Sequence, residues 1–191
     1  MYSKTTFVMA GEGMLLYVIG ASGSGKDSLI RCARDRIGPD SPIVFAHRYI
    51  TRPAESGNGN HIAVSNSEFR RLLKLGCFAM HWESHGLSYG IGIEIDEWLK
   101  MGLKVVVNGS REYLGEAAKK YRLMTPVLIK APGHVLRERL MRRGRESDDD
   151  IEERLTRSNA VEKMVSHPRL IELDNSGPLE DACRQLLTVL G

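Results

Sequence analysis

A glycine-rich segment ending in lysine constrains the fold of this chain more than any other feature of its sequence. Residues 20–26 read Gly-Ala-Ser-Gly-Ser-Gly-Lys, directly after the apolar run 15–19 and before a helical pattern over 28–37. Small residues let successive backbone N–H groups turn inward on a phosphate, the helix N-terminus adds partial positive charge, and the lysine reaches the β and γ oxygens. An ordinary glycine-rich turn would not explain a strand and a helix in register with it. The segment predicts a phosphate-binding loop that holds a nucleoside triphosphate.

One position departs from the usual motif. Asp27 stands where Ser or Thr normally coordinates Mg²⁺, and Ser28 follows it. Because magnesium prefers hard oxygen ligands, Asp27 or Ser28 is a candidate ligand, directly or through water. The alternative is that Asp27 only caps the helix N-terminus. The residues expected around the triphosphate are Gly20, Ala21, Ser22, Gly23, Ser24, Gly25, Lys26, Asp27 and Ser28.

Short apolar runs alternate with helical patterns along the chain. The runs cover residues 15–19, 43–46, 104–107, 127–130 and 170–173. This rhythm predicts an α/β fold with a five-stranded parallel sheet covered by helices. Ser65 and Glu68 form a capping box for a helix that ends at Gly76, Pro132 and Gly144 bracket a second helix, and a C-terminal helix begins near Pro178.

Residues 47–92 interrupt the rhythm with a Gly/Asn-rich stretch, several histidines and aromatics, and one clear helix. Such an insertion on a sheet usually carries substrate-binding residues. The histidines match no standard zinc spacing, so we interpret them as hydrogen-bonding or packing residues.

Composition limits the remaining classes of function. A chain of 191 residues fits one domain, here with a loose tail over 1–13, and a net charge of +3 falls far short of a dense nucleic-acid-binding surface. No apolar run reaches the roughly 18 residues of a membrane span. Cys32, Cys77 and Cys183 lie far apart without a CxxC pair, which favours reduced thiols and a cytoplasmic protein. Oligomeric state, including a homodimer, stays open.

A charged segment over 139–154 resembles a known lid. The string R-L-x-x-R-G-x-E followed by I-x-x-R-L could form a solvated helical hairpin with internal charge pairs. It also resembles the lid of the guanylate kinase family, whose arginines fold over ATP. That resemblance implies that Arg139, Arg143 and Arg154 stabilise the charge on the transferring phosphoryl group.

The resemblance to guanylate kinases extends through the insertion. The strings R-Y-I-T-R-P at 48–53, N-H-I-A-V-S at 60–65 and H-G-L-S-Y-G at 85–90 follow the acceptor region of that family in order, and it implies that Arg52 and Tyr89 hold the acceptor phosphate. The positions for guanine recognition differ, with His61, His81 and Ile91 in place of the family's tyrosine, glutamate and serine. Unpaired partners discriminate strongly against a base, so GMP is expected to be a poor acceptor.

The replacing residues resemble a particular branch of these kinases. The strings G-x-S-G-S-G-K-D-S-L, A-H-R-Y-I-T-R and V-N-G-S-R, which include Asp27, are similar to the ribose 1,5-bisphosphate phosphokinase family of bacterial phosphonate breakdown. This resemblance implies ATP- and magnesium-dependent phosphorylation of the 1-phosphate of ribose 1,5-bisphosphate to 5-phospho-α-D-ribose 1-diphosphate.

The chemistry implied needs no general base, because a phosphate oxygen is already anionic at neutral pH. Lys26 and the lid arginines would balance the moving charge. Arg48 stands where guanylate kinases carry a serine, and we expect it to bind one of the two acceptor phosphates. His61 and His81 are the histidines expected to touch substrate. Asn175 is expected near adenine, although Asn-Ser-Gly is also a common turn.

Two other functions compete with this interpretation. The first is a guanylate kinase or another nucleoside monophosphate kinase on the same fold. The second is a non-catalytic binding module with a guanylate-kinase-like fold, which would tend to lose the loop lysine and the lid arginines. Both features are present in this sequence. Asn108, Ser110 and Arg111, at the end of a predicted strand, are further candidates for contact with the sugar.

Overall fold

The computed structural model describes residues 13–52, 60–144 and 147–191, with the side chain of Arg143 excepted. The predicted tail, apart from Gly13, therefore lies outside the described residues. The strands are β1 (Met14–Gly20), β2 (Ile43–Phe45), β3 (Arg48–Ile50), β4 (His61–Ala63), β5 (Phe78–Ser84), β6 (Leu87–Gly92), β7 (Lys104–Asn108), β8 (Thr125–Lys130) and β9 (Ile171–Asp174). The helices are α1 (Lys26–Arg34), α2 (Asn66–Lys74), α3 (Glu94–Lys100), α4 (Leu114–Lys120), α5 (Gly133–Arg143), α6 (Asp148–Lys163) and α7 (Leu179–Leu190).

The main sheet is five-stranded and parallel, in the order β2-β7-β1-β8-β9. This confirms the predicted fold class. Its central strand β1 is buried on both faces, because Tyr17 packs in a cluster with residues of α3 and α4 while Leu16 and Val18 pack with residues of α1 and α7. A strand covered on both faces reads as a continuous apolar run rather than an alternating one, which is the pattern that the sequence shows.

Helix boundaries follow the local signals closely. The Ser65 side chain accepts a hydrogen bond from the Glu68 backbone N–H at the start of α2. Helix α5 ends at Gly144, which adopts the left-handed conformation with φ 60°. Pro132 precedes the first turn of α5 rather than opening it. Helix α6 begins with a capping box between Ser147 and Asp150. Among the described residues, no helix is long and apolar enough to cross a membrane.

A second sheet lies within the insertion. Its order is β4-β3-β6-β5, with β3 parallel to β4 and antiparallel to β6, and β6 antiparallel to β5. Sequence analysis expected one clear helix here and did not foresee the sheet. The strands β3 and β4 have only three residues each, which is too short for a periodic pattern. A two-residue turn at His85 and Gly86, both with positive φ, connects β5 to β6.

The expectation that all cysteines are reduced is wrong for two of them. Cys32 of α1 and Cys183 of α7 form a disulfide with their Cα atoms 6.2 Å apart. The two positions are separated by 151 residues, but α1 and α7 pack side by side on one face of the main sheet. The wide spacing of Cys32 and Cys183 in the sequence therefore did not indicate that the two residues are adjacent in the fold. Cys77 is a free thiol.

Truncating the centre of the main sheet should destabilise the whole domain. The side chain of Leu16 in β1 has 0% exposed surface. We expect Leu16→Ala to lower the free energy of unfolding by about 2–5 kcal/mol, because it removes buried methyl groups and leaves a cavity. Urea unfolding followed by circular dichroism measures the change. Leu75→Ala is the control, because Leu75 is 66% exposed and its loss should cost no more than about 0.5 kcal/mol.

Candidate active site

A cleft of about 210 Å³ opens at the carboxyl edge of the main sheet. In parallel α/β sheets this edge is where ligands bind. The phosphate-binding loop forms one end of the cleft, the second sheet forms one wall, the segment after β7 forms another, and α6 closes over it. The loop contributes Lys26 and Asp27, and the second sheet with its flanking residues contributes Arg48, Arg52, Trp82, His85 and Tyr89. The segment after β7 contributes Ser110 and Arg111, and α6 contributes Arg154, Arg157 and Ser158.

The phosphate-binding loop has the conformation that its glycines predict. Gly25 has φ 86° and lies at the N-cap of α1. A Cβ at this position would collide with the side-chain amide of Asn175, so close packing as well as backbone conformation requires glycine. The Lys26 ammonium donates hydrogen bonds to the carbonyls of Gly20 at 2.7 Å and Ala21 at 3.0 Å. The lysine is therefore folded over the mouth of the loop.

Asn175 supports the loop from behind. It is 2% exposed, and its Nδ2 donates to the carbonyl oxygen of Ser24 at 2.6 Å. Arg139 of α5 donates to the same carbonyl at 3.5 Å. The Asn175 Oδ1 is buried without a hydrogen-bond partner in the described part of the chain. Asn175 therefore lies beside the phosphate-binding loop and contacts its backbone, and its expected contact with adenine stays a prediction.

Asp27 connects the loop to the opposite wall of the cleft. Its Oδ1 accepts a hydrogen bond from Asn108 Nδ2 at 2.6 Å and lies 3.5 Å from Nη2 of Arg48. The N-cap of α1 is Gly25, and no side chain caps the helix. Asp27 itself lies in the first turn of α1, where a negative charge is favourable, so its role at the helix N-terminus stays a prediction. Burial lowers the pKa of Arg48, and the negative charge of Asp27 opposes that shift.

Aromatic rings line the wall beside the arginines. Trp82 and Tyr89 stack with centroids 5.6 Å apart and planes 5° from parallel. The Arg48 guanidinium lies 5.5 Å from the centre of the Tyr89 ring. Sequence analysis selected Tyr89 but not Trp82, although the register of the β5–β6 hairpin places the two residues directly opposite each other. The two-residue His-Gly turn was a signal from which that register could have been derived.

The two histidines expected at the substrate occupy different positions. His61 Nε2 lies 3.5 Å from Nη2 of Arg52. Burial, followed by the charges of Arg52 and Arg48, lowers the pKa of His61, which favours the neutral ring. His81 is exposed, and neither His61 nor His81 is among the residues that line the cleft, whereas His85 is. Neighbouring side chains on a strand alternate between faces, and in β5 the cleft side belongs to Trp82 and Ser84.

The structure describes the side chains of two of the three predicted lid arginines, Arg139 and Arg154. Arg154 lines the cleft, Arg139 reaches the back of the loop, and the side chain of Arg143 lies outside the described residues. Arg157 also lines the cleft and pairs with Glu112 at 3.5 Å. Sequence analysis missed Arg157, although it follows Arg154 by three residues and so shares its face of the helix.

The segment after β7 anchors the lid helix to the sheet. Arg111 donates to the carbonyl of Ser158 at 2.9 Å and to its hydroxyl at 3.1 Å. Burial lowers the pKa of Arg111, while Glu162 and Glu112 oppose the shift. The phenol of Tyr17 donates to the Ser110 carbonyl and accepts from the Ser110 N–H, and burial raises its pKa. The floor of the cleft is therefore built on the buried strand β1.

Asp27 gives the loop an oxygen donor of the kind that magnesium prefers. Among the described residues, no group of three or more His, Cys, Asp and Glu side chains could hold a metal by itself. Magnesium does not need such a group, because it usually keeps several waters and binds one or two carboxylates plus substrate phosphates. Of the two predicted ligands, Asp27 lines the cleft and Ser28 is not among its lining residues, and magnesium binding by either stays a prediction.

Comparison with known proteins decides the family. A ribose 1,5-bisphosphate phosphokinase of Desulfomicrobium baculatum is 54% identical over 167 residues, which cover 87% of this chain and 88% of that protein. The protein of the same name from Thiobacillus denitrificans is 50% identical over 181 residues, or 94% of this chain and 93% of that one. This chain belongs to the ribose 1,5-bisphosphate phosphokinase family. It is a kinase with a nucleotide co-substrate. No family model matches the chain.

The fold of this phosphokinase is that of guanylate kinases. The crystal structure of guanylate kinase from Anaplasma phagocytophilum superimposes with a TM-score of 0.73 over 94% of this chain and 85% of that one. Sequence identity is only 18%, so this likeness concerns the fold alone. The predicted membership of the phosphokinase family and the predicted guanylate-kinase-like fold are thereby confirmed.

Removing the support behind the phosphate loop should weaken phosphate binding itself. We expect Asn175→Ala to lower the affinity for both ATP and inorganic tripolyphosphate about tenfold, because a buried hydrogen bond to the loop is worth about 1–3 kcal/mol. Isothermal titration calorimetry measures both ligands, and Asn66→Ala at an exposed position of α2 is the control. Loss of ATP affinity alone, with tripolyphosphate binding unchanged, would instead assign Asn175 to the adenine.

Proposed function

We propose that this protein transfers the γ-phosphoryl group of ATP to the 1-phosphate of ribose 1,5-bisphosphate, giving 5-phospho-α-D-ribose 1-diphosphate and ADP. The observation that carries the proposal is the pair of arginines Arg48 and Arg52 on one wall of the cleft, facing the phosphate-binding loop. A nucleoside monophosphate brings one phosphate to such a wall, whereas a sugar bisphosphate brings two. Relatives that are about half identical over most of their length carry the name of this activity.

The transfer is an exchange of two P–O bonds. A non-bridging oxygen of the 1-phosphate forms a bond to the γ-phosphorus, and the bond from that phosphorus to the β–γ bridging oxygen breaks. The electron pair leaves with ADP. No proton has to be removed from the acceptor, which agrees with a cleft whose charged side chains are mainly arginine and lysine. Catalysis then depends on positioning and on neutralising charge.

Each part of the cleft has a role in this transfer. Lys26 and the loop N–H groups bind the β- and γ-phosphates of ATP, Arg139 and Asn175 hold the loop, and Arg154 with Arg143 stabilises the charge that develops in the transition state. When bound, Mg²⁺ supplies further positive charge to the phosphates of ATP. On the acceptor side, Arg52 and Tyr89 hold the phosphate that receives the new group.

The stacked rings of Trp82 and Tyr89 provide an apolar surface beside those arginines. A furanose ring presents C–H groups that pack on such a surface, while its hydroxyls need polar partners such as Ser110. In a neutral His61, Nε2 accepts from the Arg52 guanidinium, so the proton is on Nδ1, which would donate to the substrate. The proposed contact of His81 with substrate has no support from the cleft lining, because His81 is not part of it.

The setting of this reaction follows from its donor. ATP and magnesium are intracellular, so we place the enzyme in the cytoplasm, within the breakdown of phosphonates. No partner beyond the small-molecule substrates is required. Whether the enzyme forms a homodimer is decided by light scattering on the purified protein.

A panel of acceptors tests the function directly. With ATP and Mg²⁺ we expect kcat/KM for ribose 1,5-bisphosphate to exceed that for GMP, dGMP, AMP or UMP by about 10⁴, since unpaired polar groups at a base or phosphate discriminate to that extent. Coupled detection of ADP measures every acceptor on the same scale. Faster turnover of GMP than of the sugar bisphosphate would assign the chain to the nucleoside monophosphate kinases.

The contribution of Arg48 to the acceptor is measurable separately. We expect Arg48→Ala to raise KM for ribose 1,5-bisphosphate about 10–100-fold, because a hydrogen bond to a charged group is worth about 1.5–3 kcal/mol. KM for ATP should change less than about twofold. Arg184→Ala is the matched control, since Arg184 pairs with Asp181 on the surface of α7. An unchanged acceptor KM would remove Arg48 from the substrate site.

A further inference from the structure

Asp27, which replaces the usual Ser or Thr of the loop motif, faces the cleft wall that carries Arg48. Asp27 is the second residue of α1, and its Oδ1 meets Asn108 at 2.6 Å and Arg48 at 3.5 Å. Asn108 ends β7, and Arg48 begins β3. One carboxylate oxygen thus joins the loop helix, the main sheet and the second sheet.

Arg48 requires a negative partner in this position. Its side chain is only 18% exposed, and burial lowers its pKa because the guanidinium loses solvation. The charge of Arg52 lowers it further, whereas Asp27 makes the largest opposing contribution. Within the described residues the Arg48 Nε is buried without a hydrogen-bond partner. Removing the neighbouring negative charge would leave a mostly buried cation poorly compensated.

Asn108 determines where the Asp27 carboxylate lies. Asn108 is paired in register with Val18 of the buried strand β1, so its backbone position is rigid. Its amide donates to Asp27 and holds the carboxylate on the side of Arg48. A serine at position 27 would be too short to reach both partners and would carry no charge.

We propose that Asp27 is a positioning residue for the acceptor: it holds the guanidinium of Arg48 ready for a phosphate of the sugar bisphosphate. This role explains why a carboxylate replaces the hydroxyl that the loop motif usually places after its lysine. The inference rests on the proposed function, since it takes the acceptor to be a sugar bisphosphate.

Binding of the acceptor follows simply from this arrangement. The distance of 3.5 Å between Arg48 and Asp27 is longer than the 2.7–2.9 Å of a charge-assisted hydrogen bond. A phosphate therefore gains full hydrogen bonds to Arg48 without first breaking a strong one. Asp27 stays on Asn108 and keeps the guanidinium oriented while the phosphate is bound.

Two substitutions separate this role from metal binding. Asp27→Asn keeps the shape and an acceptor for Asn108 but removes the charge, and Asp27→Ser restores the usual motif. Both variants should raise KM for ribose 1,5-bisphosphate about tenfold and change KM for ATP and the half-saturating Mg²⁺ concentration less than about twofold. Asp35→Asn, at the C-cap of the same helix, is the matched control. A higher magnesium requirement with an unchanged acceptor KM would show a metal ligand and overturn the proposal.

A double-mutant cycle tests the coupling to Arg48. In an Arg48→Ala background, Asp27→Asn should change the acceptor KM less than about twofold. A second tenfold rise there would mean that Asp27 acts without Arg48, which also overturns the proposal.

Thermal unfolding of the same four proteins needs no substrate. The two substitutions should be non-additive in Tm by about 2–4 °C, and additive shifts would refute the pairing. Failure of the wild-type enzyme to phosphorylate ribose 1,5-bisphosphate would contradict the proposed function. The double-mutant cycle in Tm would still show whether Asp27 and Arg48 interact.

Discussion

The parallel pairing of β1 with β7 on one side and β8 on the other is the constraint on which the rest of the structure depends. Parallel strands bring their carboxyl ends to one edge, and here that edge receives the phosphate loop from β1, Asn108 from β7 and Asn175 beyond β9. Because β1 is buried on both faces, the loop starts from a rigid base. The hydrogen bonds of Tyr17 to Ser110 and of Asn175 to Ser24 transmit that rigidity to the floor and the loop.

Concentrated positive charge is the second organising feature of the cleft. Arg48, Arg52, Arg154 and Arg157 face a shared volume of about 210 Å³, where a triphosphate and an anionic acceptor would neutralise them. Acidic side chains partly compensate this charge, since Asp27 lies near Arg48 and Glu112 lies near Arg157. The same arrangement suits the proposed transfer, since an ionised phosphate acceptor needs orientation and charge neutralisation rather than a general base.

Much of the fold followed from local patterns. The apolar runs predicted the five strands of the main sheet to within a few residues. The pattern is clearest in the inner strands β1, β7 and β8, because strands covered on both faces are apolar nearly throughout. Capping residues such as Ser65 marked helix starts, because they satisfy free backbone N–H groups within one turn. The second sheet escaped prediction, since strands of three residues carry no readable period. The disulfide between Cys32 and Cys183 escaped because it depends on which helices share a face of the sheet.

By itself, the sequence determined the phosphate-binding loop, the α/β class and the kinase family, since these depend on residues that are adjacent or closely spaced along the chain. Only the tertiary structure decided which side chains share the cleft. It brought in Trp82 and Arg157, turned His81 outward, and joined Asp27 to Arg48 and Asn108 across three elements. The physical reason is that a hydrogen bond or an ion pair depends on distances of about 3 Å, which strand register and helix packing set over tens of residues.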